Sequence, residues 1–188
     1  MSTQTNYYMS PEEYLEIERK AEYKSEYSDG VMYVKAGGSE RHNLIATNII
    51  GILHRQLLES PCKVYNSDMK VRIFTAKKYC YPDVSVVCGE TRFDDEYQDT
   101  ILNPILIVEV LSDATAGYDR GGKFQAYKQL ASFREYILVS QEQYLIEQYV
   151  RQGDHSWLYT DVSGLEGLLH LPSIGCSLAL RDVYAKTT

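Results

Sequence analysis

One carboxylate stands inside one of the most apolar stretches of the chain. Ile105-Leu106-Ile107-Val108-Glu109-Val110-Leu111 has the composition of a fully buried β-strand apart from Glu109. An ionised carboxylate taken out of water without a partner costs several kcal/mol, so Glu109 is protonated, paired with a cation or bound to a metal ion. Upstream, Tyr81-Pro82-Asp83-Val84-Ser85-Val86-Val87 sets Asp83 at the mouth of a second apolar strand. Side chains alternate faces along a strand. Asp83 therefore points with Ser85 and Val87, and Glu109 with Ile107 and Leu111. On neighbouring strands the two acids would converge at one sheet edge. Close carboxylates repel, and one takes a proton unless a cation joins them. Mg²⁺ suits such a pair because it favours hard oxygen donors and keeps several waters. It can activate a bound water and neutralise charge on a phosphoryl transition state.

Lys123 lies near the start of a predicted helix, about Asp119 to Ala131, where the helix dipole disfavours a cation by ~1 kcal/mol or less. Asp119, Lys123 and Tyr127 recur every fourth residue and share one side of that helix. Gly121 and Gly122 permit close approach to a sheet or a phosphate. A lysine here can position an attacking water or steady a non-bridging phosphate oxygen. Each residue also has a plainer reading: Asp83 as a turn acid, Glu109 as a neutral group or half of a structural ion pair, Lys123 as a solvated lysine. Lys70 and Arg72 alternate with Val71 and Ile73 and so face one side. With Lys77 and Lys78 they form either a phosphate-contacting edge or a solubilising one.

The elements that must position these groups follow from pattern. Ser10-Pro11-Glu12-Glu13 predicts a helix start with a capping box, running to about Lys24. Asp29-Gly30 predicts a turn before a strand over Val31 to Ala36. Ser39 caps a helix from about Glu40 to Leu58 with an apolar stripe of Ile45, Ile49, Ile52, Leu53 and Leu57. Strands are expected over Lys63–Asn66, Met69–Phe74, Tyr81–Cys88, Ile101–Leu111, Glu135–Val139, Tyr144–Arg151 and, as an edge, Trp157–Thr160. A short helix is expected over Leu180–Tyr184. This order predicts an α/β or α+β sheet with helices on its flanks: a polar-aromatic tail over residues 1–9 and one domain over 10–188.

Composition narrows the partners. With 188 residues, 44% apolar and 24% charged, the chain can bury a sizeable core. Its net charge of −7 opposes nonspecific coating of nucleic acid, while an acidic metal site beside a local basic stripe stays compatible with it. The 17 tyrosines suit partly wet clefts or an interface as well as a modest core. The four cysteines form no C-x-x-C pair and read as buried reduced thiols. The polar, acidic first twenty residues show no signal-peptide pattern, and no apolar run approaches a membrane span. A cytoplasmic location is expected.

The ordered set Pro82-Asp83, then Val108-Glu109-Val110-Leu111-Ser112, then Asp119-x-x-x-Lys123, Tyr127 and Glu135-Tyr136-Ile137-Leu138-Val139 resembles a bacterial family of restriction-endonuclease-like proteins within the PD-(D/E)xK nuclease superfamily. The likeness runs from about Pro11 to Tyr184 and includes Glu26-x-x-Asp29-Gly30 and a helix bearing His42. It implies a restriction-endonuclease-like mixed central β-sheet flanked by helices, a Mg²⁺ or Mn²⁺ site, phosphodiester hydrolysis in DNA and a homodimer. Carried over, Asp83 and Glu109 are metal ligands, the Val110 carbonyl a third, and Lys123 the superfamily lysine. Glu26 is an extra acid at the site or, on the residues alone, a hairpin-edge acid. Tyr127 supports Lys123, and His42 is an accessory histidine or one that caps or packs its helix. The chain departs from the superfamily pattern at Leu111, where a lysine stands two residues after the acid. A second class of function is a nuclease-fold module that binds nucleic acid or protein without catalysis. A third is a metal-independent hydrolase using Glu26 and Glu109 as acid and base.

Overall fold

A computed structural model describes residues 8–113, 115–153 and 156–187. Most of the expected tail lies outside them, but its last two residues are tied down. The Met9 N–H donates to the Gly30 carbonyl at 3.0 Å, and the Tyr8 hydroxyl to Asp29 at 3.2 Å. Helix α1 (Pro11–Glu18) opens with the predicted capping box at Ser10 and Glu13. It stops well short of Lys24 because Glu18 turns inward, where its carboxylate accepts from the Ser25 N–H and the Tyr81 hydroxyl. The chain is thereby drawn into β1 (Ser25–Ser28), which returns as β2 (Val31–Val34). Asp29 and Gly30 make that turn with φ of 43° and 90°, the left-handed pair a tight hairpin requires. Helix α2 (Glu40–Gln56) is capped by Ser39, as predicted, and buries Ile45, Ile49 and Leu53.

The two central expected strands change. The expected Tyr81–Cys88 begins only at Val84, as β6 (Val84–Cys88), with a separate β5 (Lys78–Cys80) before it, and the expected Ile101–Leu111 is divided into β7 (Thr100–Ile101) and β8 (Leu106–Leu111). A proline interrupts each, Pro82 and Pro104, and a proline has no N–H to give to a ladder. At both breaks the chain crosses between sheets. One sheet has five strands in the order β2-β1-β5-β4-β7, with β4 spanning Lys70–Ile73. The other has six, in the order β11-β10-β9-β8-β6-β3. Its remaining strands are β3 (Cys62–Asn66), β9 (Glu135–Ser140), β10 (Leu145–Arg151) and β11 (Trp157–Ser163), the last at an edge as predicted. β8 runs parallel to β9 and antiparallel to β6, so the sheet is mixed. A hairpin of β12 (Leu168–Leu171) and β13 (Cys176–Ala179), absent from the sequence reading, leads into α5 (Leu180–Val183).

The six-stranded sheet divides the interior. Val84, Val86, Val108 and Val110 face a core closed by α2, α5 and the β12–β13 hairpin. Val87, Ile107 and Leu111 face a second core with Phe124, Tyr127, Tyr136 and the Val71 and Ile73 side chains of β4. The second core is covered by a helical passage: α3 (Ala116–Tyr118), a π-helical turn (Asp119–Lys123) and α4 (Phe124–Tyr127). The expected continuous helix to Ala131 ends early, in tight turns that bury Leu130 and Phe133.

The cysteine expectation needs correction. Cys62 and Cys88 are register partners on β3 and β6 and are joined as a disulfide, while Cys80 and Cys176 are buried and free. Their separation of 26 residues carries no motif; antiparallel pairing brings them together. Among the described residues no helix is long and apolar enough to cross a membrane.

Candidate active site

The β6–β8 ladder pairs Val84 with Val108, which places Asp83 and Glu109 one position further along, opposite each other at the end of the ladder. Asp83 occupies the point where β6 leaves the sheet. Its Oδ2 accepts the Val110 N–H at 2.8 Å, so the side chain continues a ladder that the backbone, turned aside at Pro82, no longer supplies. The same oxygen lies 3.1 Å from His42 Nε2 on the first turn of α2, and Oδ1 lies 3.7 Å from Lys35 Nζ. Burial pushes the Asp83 carboxyl up, but the His42 hydrogen bond and the Lys35 charge outweigh it and hold it below the usual carboxylate range.

Glu109 alternates onto the face of Ile107 and Leu111 and meets the π-helical turn. Its Oε1 accepts from Lys123 Nζ at 3.1 Å and from the Tyr127 hydroxyl at 3.0 Å. Lys123 Nζ also lies 3.3 Å from Asp119 Oδ1 and 3.6 Å from Glu26 Oε1 on β1. An ammonium has three protons, and here it has three carboxylates. The approach to Asp119 Oδ1 lacks hydrogen-bond geometry, which leaves that buried oxygen without a hydrogen-bond partner. Glu26 Oε1 is anchored by the Tyr81 N–H at 3.0 Å.

The electrostatics follow from an imbalance. Four carboxylates (Glu26, Asp83, Glu109, Asp119) face two lysines (Lys35, Lys123) within one cluster. Burial pushes Glu109 up to about 8, with Lys123 opposing the shift and Asp83 and Asp119 adding to it. Burial alone would discharge Lys123, but Glu109, Glu26 and Asp119 hold its pKa well above the ordinary lysine value. Burial and the Glu109 charge likewise keep the Tyr127 hydroxyl protonated. The donors are hard oxygens and the cluster is short of positive charge, so the residues fit a divalent cation on Asp83, Glu109 and a backbone carbonyl. No group of three or more His, Cys, Asp or Glu side chains is arranged to hold a metal among the described residues. Any ion would accordingly rest on two carboxylates and backbone or water oxygens.

Side-chain exposure grades outward from 3% at Glu109 and 7% at Lys123, through 16% at Glu26 and 17% at His42, to 26% at Lys35. The cluster therefore opens past β2 and the start of α2. A surface cleft of about 440 Å³ lies elsewhere, between α1 and Tyr97, and contains none of these groups.

The structure thus brings Asp83, Glu109, Lys123, Glu26, Tyr127 and His42 together, with the Val110 backbone among them. It does not bring in Lys70 or Arg72. Lys70 is buried with its ammonium 3.0 Å from Asp99, and Arg72 pairs with Asp94. Of the two readings left open for this edge, phosphate-contacting or solubilising, neither describes these two side chains, whose charges are paired by a loop more than twenty residues downstream. Lys35 and Asp119 also belong to the cluster; in the sequence Lys35 does not stand out, and Asp119 does so only as a helix-side neighbour of Lys123. The four-residue spacing of Asp119 and Lys123 was the available signal for one, and the alternation of Val31, Tyr33 and Lys35 for the other.

A mixed sheet with opposed acids on adjacent strands and a lysine entering from a flanking helix gives the molecule a nuclease-like fold. The crystal structure titled as a putative nuclease belonging to DUF820, from Anabaena variabilis, superimposes with a TM-score of 0.75, covering 96% of this chain and 99% of that one at 15% identity. The chain belongs to the Uma2 family, described as "Putative restriction endonuclease", whose profile matches residues 11–181. It is 38% identical over 176 residues to slr1290 of Synechocystis sp., spanning 94% of this chain and 91% of that one. It is 36% identical over 164 residues to sll1609 of the same organism, spanning 87% and 93%. Both relatives carry the description "uncharacterized".

Proposed function

We propose that the protein is a divalent-metal-dependent endonuclease that hydrolyses phosphodiester bonds in DNA, with Mg²⁺ or Mn²⁺ as its cofactor. The observation that carries this is the meeting of Asp83, Glu109 and Lys123 in a buried cluster with more carboxylates than cations. Asp83, Glu109 and the Val110 carbonyl would hold the ion. When bound, it supplies Lewis-acid stabilisation of phosphoryl charge and lowers the pKa of a coordinated water. Lys123, kept charged by its three acids, offers N–H donors to a phosphate oxygen or an attacking water. Tyr127 fixes the Glu109 oxygen that Lys123 also uses. His42 and the Val110 N–H fix the orientation of Asp83, as partners outside a ligand shell do.

A homodimer and a cytoplasmic location belong to the same proposal. In a reducing compartment the Cys62–Cys88 pair would be held as thiols, and the fold would rely on its two cores. The competing reading, a module that binds without cutting, is favoured by one observation: Glu109 already has a cation and a hydroxyl as partners. Supercoiled plasmid incubated with Mg²⁺ or Mn²⁺ decides between them. Nicking or linearisation that disappears in Glu109→Ala and Asp83→Ala is the expected result. No cleavage across pH and metal, or equal cleavage by Glu109→Ala, would rule the nuclease out.

A further inference from the structure

Strand β2 forms one wall of the opening to the acidic cluster. Its alternate residues Val31 and Tyr33, and Lys35 just past its end, share a face. Tyr33 pairs across the ladder with Glu26, and Glu26 is one of the three acids around Lys123. Lys35 reaches Asp83. Tyr33 thus stands beside the catalytic candidates, yet it is 56% exposed, and Val31 is 49% exposed. On the other side Tyr118, 43% exposed, immediately precedes Asp119. Its ring lies against the backbone of Gly122, where an added Cβ would come within 2.7 Å. Its hydroxyl accepts from Lys78 Nζ at 2.8 Å, and Lys78 pairs with Ser28 on the same five-stranded sheet. Ser28 in turn pairs with Val31. The exposed Tyr33 ring and the half-exposed Tyr118 ring, the latter with Lys78 Nζ over it at 5.0 Å from the centroid, therefore flank one mouth.

Charge elsewhere favours a particular occupant. Duplex DNA is gripped mainly through many phosphate contacts. Here Arg19, Lys24, Lys70, Arg72, Lys77 and Arg120 are all engaged with carboxylates, and the net charge is −7. Stacking on aromatic rings needs far fewer cations and contributes ~1–3 kcal/mol per base.

We infer that Tyr33 and Tyr118 form a stacking platform for unpaired bases, so that the strand entering the cluster is single-stranded or locally unpaired DNA, with Lys78 receiving a phosphate between the rings. This deepens the nuclease reading and rests on it for what happens after binding, but binding itself is separable.

The test is fluorescence anisotropy in EDTA with a labelled single strand and with the same sequence as a duplex. The wild type should prefer the single strand. Tyr33→Ser and Tyr118→Ser should each weaken single-strand binding by roughly 5- to 100-fold, with melting temperatures close to wild type. Tyr33→Phe and Tyr118→Phe should keep it. Equal or tighter duplex binding, or an unchanged Tyr33→Ser variant, overturns the platform. Tyr33 is exposed enough that its variant folds even if Tyr118→Ser does not. Cleavage in Mg²⁺ is read separately. Single-strand preference without cleavage defeats the nuclease and leaves the platform standing; cleavage without that preference does the reverse.

Discussion

Glu109 concentrates the competing forces at the residue scale. Its carboxyl rises from 4.5 to about 8 in the fold, first because burial disfavours the charge. Between those values the folded chain holds a proton that the unfolded chain has released, so stability falls as pH rises across the window. Metal-free protein should therefore melt at progressively lower temperature from pH 4.5 to pH 8. Glu109→Gln should flatten that slope, and a wild-type melting point that climbs over this range would contradict the assignment. Uptake of the proposed ion should show the opposite trend and strengthen with pH, because it would have to displace the Glu109 proton. Lys123→Met removes the cation that Glu26, Glu109 and Asp119 share. Breaking a buried ion pair from one side costs ~3–5 kcal/mol, and the loss should be larger at pH 8 than at pH 5, where Glu109 can take a proton instead. Chemical denaturation at the two pH values measures both figures.

The elements determine whether such groups can hold their geometry. The first turn of α2 carries His42 to Asp83, and Gly38 makes room for it: an added Cβ would sit 2.6 Å from His42 Nδ1. Gly38→Ala should displace the imidazole and loosen its 3.1 Å contact with Asp83. Mn²⁺ affinity, followed by calorimetric titration, should fall ~10-fold or more, as when other groups that orient a metal ligand are lost. The melting point should barely move, since Gly38 is exposed. Edge strand β3 depends on a different device. Replacing Cys62 and Cys88 together with serine removes a cross-link that closes a 26-residue loop and should cost ~3 kcal/mol in oxidising buffer and nothing in dithiothreitol. How much of this the sequence showed varied with the range of the interaction. Glu109 stood out because its neighbours are apolar, whereas the pairing of its strand with the segment after Asp83 was left open by the sequence and comes from the ladder. The Ser10 and Ser39 caps were legible because capping is local. Pairing at a distance was not. Nothing near Lys70 or Arg72 announces Asp99 or Asp94, and nothing in the spacing of Cys62 and Cys88 announces a bond. The breaks at Pro82 and Pro104 were signalled by the prolines themselves and were read through because the flanking residues are so apolar.

At the scale of the whole molecule, the candidate site lies where two sheets exchange strands. Glu26 comes from the five-stranded sheet, Glu109 from the six-stranded one, Asp83 from the crossing between them and Lys123 from the helical passage that covers the second core. That passage changes to π-helical geometry over the residues that reach the cluster, a distortion often retained where function needs it. An ion held between Asp83 at the crossing and Glu109 on β8 would cross-link the end of that ladder to the segment that joins the two sheets. An ion that binds only the folded chain stabilises it by about 2.7 kcal/mol at a concentration a hundredfold above its Kd, equivalent to roughly 5–10 °C in a domain of this size. Calorimetric scans with increasing Mn²⁺ should then show a single transition moving upward as a whole, because Asp83 lies where the chain crosses between the sheets and Glu109 lies within one of them, so the site is lost if the sheets separate. Asp83→Asn and Glu109→Gln should abolish the movement while leaving a folded, cooperative protein. Two transitions, with only one responding to the ion, would mean that the sheets melt independently and that the acids do not act on a common cation. A shift that survives in both variants would place the ion elsewhere on this acidic surface.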